Sequence, residues 1–139
     1  MAQYWLLKTE PETYSFSKLL KDKKTNWNGV RNFQARNNLQ KMKSGDVALI
    51  YHSGDDKSVV GIAKVVKEAY KDQTPEDDRE WAQIDIAPVK ALKKPVTLAT
   101  IKTASGLTDL PLIKQSRLSV MPISEKHFQK ILTLGDTSA

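Results

Sequence analysis

Cysteine is absent from this 139-residue chain, and histidine occurs only at His52 and His127. Disulfides, thiol catalysis and cysteine-based zinc sites are excluded, and no other cluster has metal-ligand spacing. No metal or other cofactor is expected. No apolar run approaches the ~18 residues that a membrane-spanning helix needs. The amino-terminal MAQYWLLKTEPE carries no positive leading segment and meets acidic residues at once, unlike a signal peptide. No strongly amphipathic basic stretch suits a lipid surface either. An intracellular, metal-free protein without a membrane partner is expected. The six glycines are scattered, so none forms a phosphate-cradling loop.

What is present is ordinary in amount and uneven in distribution. Hydrophobic content of 40% and charged content of 27% fit a globular protein, and the length fits one compact domain. Residues 1–139 are read as that single domain, with 134–139 as a short disordered tail. The net charge is +6, yet residues 72–80 (DQTPEDDRE) hold five of the sixteen acids and one of the twenty-two bases. The remainder therefore carries +10, mostly as short lysine clusters. These are either solvated surface or a phosphate-facing patch, and the pattern fits nucleic acid better than membrane.

Along the chain, residues 3–10 (QYWLLKTE) alternate as a first strand, ended by Pro11. Ser15 is an N-cap for a short helix with Phe16, Leu19 and Leu20 inward, and residues 21–25 connect to Trp27. Gly29 allows a sharp turn. Asn32 caps a helix over residues 33–42 whose stripe is Ala35, Leu39 and Met42, closed by the glycine of Lys43-Ser44-Gly45-Asp46. Residues 46–53 (DVALIYHS) form the clearest strand, and Gly54-Asp55-Asp56-Lys57 turns it into a hairpin with residues 58–69. In that second strand Gly61 marks a bulge or a close backbone approach, and a helix is an alternative for its second half. Residues 81–90 alternate again, with Pro88 at an edge or an irregular end. A short helix follows Pro95 and Thr97 and breaks at Ser105-Gly106. Residues 116–123 form a last strand with Leu118 and Val120 inward, and Ser124 caps a final helix facing Phe128, Ile131 and Leu132 inward. The expected class is α+β: a curved sheet or partly closed barrel of about five to six mostly antiparallel strands with peripheral helices.

The unusual stretch is residues 26–38, NWNGVRNFQARNN, with five Asn, two Arg, one Trp and one Phe. Amides offer paired donors and acceptors, aromatics offer flat faces, and Arg31 and Arg36 offer forked cations. A planar heterocycle attached to a phosphate would use all three. The competing reading makes Trp27 and Phe33 core residues and the asparagines caps and turns. The helix start after Asn32 has free N–H groups that suit a phosphate. As an enzyme the chain is poorly equipped: His127 lies on a surface helix and is expected to have no role. His52 ends a strand, where a packed, hydrogen-bonded histidine competes with a functional one. Lys8 and Glu10 share a strand face, as a structural ion pair or with a desolvated lysine as base.

The segments YWLLKTEP, WNGVRNFQARNNLQKMKSGD, IYHS, VVGIAKVVKEAY, PVTLATIK and QSRLSVMPIS occur in order from Tyr4 to Leu132. Together they resemble the EVE domain family, small stand-alone bacterial members included. The resemblance implies a PUA-like curved β-barrel with flanking short helices, similar to YTH and SRA-type readers. It also implies a non-catalytic module that binds nucleic acid through a modified base, modified cytosine in DNA being the leading candidate and RNA remaining open. Carried onto this chain, Trp27 would stack on the extruded base or wall its pocket. Asn32 and Asn37 would meet the base edge, or hold the pocket loop. Tyr51, His52 and Ser53 would line the opposite wall, with Lys8, Thr9 and Glu10 bordering the same cavity. Arg31, Arg36 and Arg117 would reach flanking phosphates. Family members commonly have W-D-G where this chain has Trp27-Asn28-Gly29, and Asn28 would alter charge at the pocket mouth. The alternatives are a small hydrolase of a modified nucleoside acting through Lys8, Thr9 and Glu10, and a module tied to RNA modification or to another partner. A cytoplasmic monomer working with an effector protein is the expectation.

Overall fold

The structure is a computed structural model and describes residues 3–28, 30, 32–72, 81–115 and 117–138. In chain order the strands are β1 (Tyr4–Thr9), β2 (Thr25–Trp27), β3 (Val47–His52), β4 (Ser58–Lys71), β5 (Ala82–Thr97) and β6 (Val120–Ile123). The helices are α1 (Phe16–Asp22), α2 (Phe33–Lys41), α3 (Leu98–Thr103), α4 (Pro111–Lys114) and α5 (Glu125–Leu134). The strands form one sheet in the order β2-β5-β4-β3-β1-β6. Among the described residues only the β1–β3 pair is parallel. A parallel pair needs a crossover of a dozen or more residues. Here the crossover is residues 10–46, so the asparagine-rich stretch lies between two neighbouring central strands.

The sheet is curved rather than closed. Register shifts occur once between β3 and β4 and four times between β4 and β5, and each irregularity bends the ladder. One of them ends at Gly61, as the bulge reading expects; what approaches this glycine closely is a side chain, not another backbone. A Cβ there would overlap Cε1, Cε2 and Cζ of the buried Phe16 ring. Gly61→Ala is therefore expected to destabilise the fold by about 1–3 kcal/mol, as overpacking does. Urea unfolding would measure this, and Phe16→Leu in the same chain should restore part of the loss. Full stability of the single variant would mean that the ring moves aside freely.

Local signals formed as their chemistry requires. Ser15, Asn32, Thr97 and Ser124 each accept a hydrogen bond from a backbone N–H three residues on. Ala35 and Leu39 on α2 and Met42 at its C-cap are buried, as are Phe128, Ile131 and Leu132 on α5.

Several expectations are corrected. Leu20 is 42% exposed, because Phe16 and Leu19 already fill the inward side of the seven-residue α1. Helix α2 ends at Lys41 with Met42 as its C-cap, so Gly45 does not close it; at φ 95°, Gly45 instead shapes the turn in which the Asp46 N–H donates to the Lys43 carbonyl. The second half of β4 is strand throughout, as first read, and the helix alternative for it falls. Pro88 lies within the sixteen-residue β5, opposite Ala63 at a register shift. Strand β2 reaches only as far as Ile86, so the missing proline N–H faces no β2 carbonyl. The last strand starts at Val120, after α4 and a turn. Residues beyond α5 are docked: the Lys94 N–H donates to the Gly135 carbonyl and the Lys93 N–H to Thr137 Oγ1. Gly29 and residues 73–80 of the acidic loop lie outside the described residues.

Candidate nucleic-acid interface

Strand β2 places Trp27 by pairing Thr25, Asn26 and Trp27 with Ile86, Asp85 and Ile84 at one sheet edge. Three strands separate β2 from β1 in the sheet order, yet the two meet across a cavity of about 510 Å³ lined by Thr9, Thr13, Tyr14, Lys24, Thr25, Asn26, Trp27 and Asn28. Sheet curvature brings them together. The contact is fastened by Tyr14, whose ring meets Trp27 edge-on at 6.3 Å. Its hydroxyl donates to Asp22 at 2.9 Å. Burial, above all, pushes the Tyr14 phenol above its ordinary value, which keeps it a neutral donor. Among the described residues Lys24 is the one charged side chain in the lining, and the other groups are hydroxyls, amides and rings. Trp27 is only 8% exposed, so walling the pocket suits it better than forming an open platform.

At the adjoining ends of the parallel pair, Thr9 faces His52. The Ser53 N–H and hydroxyl both donate to the Thr9 carbonyl, while the Thr9 hydroxyl donates to the Tyr14 carbonyl at 2.9 Å. His52 is buried and engaged at both ring nitrogens. Nε2 accepts from the Phe16 N–H at 3.0 Å, satisfying a free donor at the start of α1, and Nδ1 meets Asp56 Oδ2 at 3.1 Å. The packed, hydrogen-bonded alternative describes this histidine. Lys8 is half-buried, with Nζ 5.9 Å from the centre of the Tyr51 ring. Burial lowers the Lys8 pKa and raises that of Tyr51. Glu10 is exposed at the turn after β1, its carbonyl accepting from the Thr13 and Tyr14 N–H groups.

The remaining candidates gather at the start of α2. Asn32 caps the helix and lines, with Gln34, Gln115, Arg117 and Leu118, a second cleft of about 310 Å³. Arg36 donates from Nε and Nη2 to Asn37 Oδ1 at 3.3 and 3.1 Å, and its guanidinium lies 4.9 Å from the Phe33 ring centre. The structure thus divides the expected set. Thr9 and Trp27 share the cavity, with Ser53 and His52 behind Thr9. Asn32 and Arg117 share the cleft, and Arg36 engages Asn37. Arg31 lies outside the described residues.

Four cavity residues, Thr13, Tyr14, Lys24 and Thr25, escaped sequence reasoning. Their role depends on the curl of the sheet, and only the nearness of Tyr14 to the KTEP segment could have drawn attention to it. His127, expected to have no role, completes a capping box at α5 and hydrogen-bonds Asp109 at 3.0 Å. That hydrogen bond, first among the causes, holds the Asp109 carboxyl below its ordinary pKa.

A curved, open α+β sheet with short flanking helices, and a polar cavity where its edge strand meets the end of a central one, defines a PUA-like domain. Likeness of fold reaches as far as the ASCH protein of Zymomonas mobilis, at a TM-score of 0.61 and 13% identity over 95% of each chain. The chain belongs to the EVE domain family, whose model matches residues 3–134. It is 36% identical to mouse thymocyte nuclear protein 1 over 99% of this chain and 75% of that protein. A crystal structure of an Agrobacterium tumefaciens protein superposes with a TM-score of 0.93 at 37% identity, covering 98% of this chain and 94% of that one. The human THYN1 protein, solved in complex with 5-methylcytosine-containing DNA, superposes with a TM-score of 0.87 at 31% identity, covering 99% of this chain and 100% of that one. Among the described residues no helix is long and apolar enough to cross a membrane.

Proposed function

We propose that this chain is a non-catalytic nucleic-acid reader that receives a modified base, modified cytosine in DNA by preference, in the cavity beside Trp27. The observation that carries this reading is the cavity itself: about 510 Å³, walled by Trp27 and lined mainly by neutral hydroxyls and amides. That volume falls within the roughly 300–1,000 Å³ of small-ligand pockets. A base is planar, uncharged and rimmed with donors and acceptors, so a neutral polar lining matches it better than a charged one. Extrusion from a duplex costs a few kcal/mol, which burial against Trp27 and hydrogen bonds to the base edge would offset. The methylcytosine-containing DNA bound to the human THYN1 protein supports the choice of polymer and base.

In this reading Thr9 and Asn28 meet the base edge, and Ser53 and His52 hold Thr9 in place. Tyr51 and Lys8 back the same wall, beside Glu10. Arg36, oriented by Asn37, joins Arg31 and Arg117 in reaching phosphates, and the Asn32-capped start of α2 favours the same charge. Asn28, where the family commonly has Asp, removes a negative charge from the mouth. The hydrolase alternative gains little: the Thr9 hydroxyl is committed to the Tyr14 carbonyl and Glu10 is exposed. Only the lowered pKa of Lys8 favours it. A reader that does not react needs an effector protein to act on what it binds, and the chain itself would serve as a cytoplasmic monomer.

The test is a titration with matched duplexes carrying cytosine, 5-methylcytosine or 5-hydroxymethylcytosine at two salt concentrations. One modified form should bind about tenfold or more tighter, while all three weaken as salt rises. Equal affinities with only a shared salt dependence would refute the reading and leave a basic surface.

A further inference from the structure

Of the described side chains that line the Trp27 cavity, Lys24 alone carries a charge. It is exposed, and no hydrogen bond or ion pair to another described residue occupies it. Its place follows from how α1 ends. Lys23, the C-cap, takes φ 68°, the left-handed conformation that turns the chain sharply out of a helix. Lys24 follows at once, and strand β2 begins at Thr25. The cation therefore stands between the end of α1 and the edge strand that carries Trp27.

Lys24 has company at this end of the helix. Residues 18–24 (KLLKDKK) hold four exposed lysines and a single acid, Asp22. Asp22 accepts from the Tyr14 hydroxyl at 2.9 Å, and among the described residues none of the four lysines has a carboxylate partner. Cations in the last turn of a helix complement its unpaired carbonyls, which gives Lys21 and Lys23 a role in stability. That does not account for Lys24, which lies beyond the helix and lines the cavity. Neither Arg36 nor Arg117 lines it. A base that enters a pocket brings its own sugar and phosphate to the mouth, because they are covalently attached. A cation in the lining then has an anion to meet, and cations beside it meet the phosphates that flank it.

We propose that the bound strand crosses the C-terminal end of α1: Lys24 pairs with a phosphate of the nucleotide whose base occupies the Trp27 cavity, and Lys21 and Lys23 take neighbouring phosphates. The inference rests on the reading in the preceding subsection, and salt slopes measured beside base discrimination separate the two. Each phosphate contact to a duplex contributes about 0.9 to the slope of log affinity against log salt. Lys24→Gln should lower that slope by about 1 and weaken binding of a 5-methylcytosine duplex roughly three- to tenfold at low salt. Lys21→Gln with Lys23→Gln should lower it by about 2. Lys126→Gln with Lys130→Gln removes the same charge from exposed positions of α5 that line neither the cavity nor the cleft, and should change the slope by less than about 0.5. Thermal melting would verify that every variant is folded, as expected for exposed lysines. Two further duplexes, each with an uncharged methylphosphonate on one side of the methylcytosine, locate the Lys24 contact. On one of them the wild type should lose about as much affinity as Lys24→Gln costs, and Lys24→Gln should lose almost nothing more.

If the wild type does not distinguish methylated from unmethylated duplex, the reader assignment fails and the path across α1 with it. If it does distinguish them, and the α1 variants keep the wild-type slope or the α5 pair lowers it equally, the path alone is overturned. Equal losses of wild type and Lys24→Gln on both methylphosphonate duplexes would overturn the pairing of Lys24 with that nucleotide.

Discussion

Trp27→Ala should abolish the preference for a modified base while leaving salt-dependent attraction to DNA in place. Aromatic stacking on a base is worth about 1–3 kcal/mol, or roughly five- to 150-fold in affinity. The phosphate contacts proposed for Arg36 and Arg117 do not involve this ring and should persist. The difficulty is that Trp27 is also core, 8% exposed and in edge contact with Tyr14. Truncating a buried tryptophan costs about 3–5 kcal/mol, a large part of the ~5–15 kcal/mol that holds a domain together. Trp27→Phe is therefore the companion variant, since it keeps most of the buried volume with a smaller stacking face. Fluorescence anisotropy with modified and unmodified duplexes, beside a thermal melt of each variant, would read both effects. The expected order of discrimination is wild type, then Trp27→Phe, then Trp27→Ala. An undiminished preference in a folded alanine variant would remove Trp27 from the pocket's function.

A loss of stability as large as that of Trp27→Ala should come from a residue far from the cavity, Asp46. Its carboxylate is 2% exposed and accepts from the Gln3 N–H at 3.0 Å, Trp5 Nε1 at 2.9 Å, the Lys43 N–H at 3.0 Å and Gln3 Nε2 at 3.4 Å. These donors come from the start of β1 and from the turn leading into β3, so one side chain ties the two parallel strands together where they begin. Asp46→Ala would leave several of them without a partner, each unsatisfied buried group costing about 1–3 kcal/mol. A total of about 3–5 kcal/mol is expected, enough to lower the melting temperature of a domain this size by roughly 10 °C or more. Urea denaturation would measure it. A loss below about 1 kcal/mol would mean that water replaces the carboxylate at little cost. The sequence offers no warning of this role, because an aspartate after Ser-Gly reads as a turn residue.

Local chemistry was legible from the residues. An N-cap acts over three residues, so Ser15, Asn32, Thr97 and Ser124 could be identified by reading forward from each. The amphipathic stripes of α2 and α5 and the alternation of β1 and β3 depend on spacing within one element. Strand β2 was not legible. Three residues, Thr25-Asn26-Trp27, carry no periodicity, and they are a strand only because β5 offers an edge about sixty residues later in the chain. The uninterrupted run of β5 through Pro88 and the docked tail after α5 have the same origin, since each depends on a partner distant in sequence.

The candidate site divides along that line. Composition and motif drew attention to Trp27 and the asparagine-rich stretch, because the chemistry of amides, rings and guanidinium groups belongs to the residues themselves. Which of them share a cavity was decided by the curvature of the sheet, which joins β2 to the end of β1 across three intervening strands. It set Tyr14 against Trp27, where no spacing rule would put it. His52 shows the same division: its position after Tyr51 was plain, but its ring was claimed by Asp56 and, where the start of α1 meets the end of β3, by the Phe16 N–H. By itself the sequence determined the family, the α+β class and the chemical kinds of group available. Only the tertiary structure decided which of those groups face a ligand and which hold the fold, because burial and hydrogen-bond partnership are properties of contacts between segments distant in the chain.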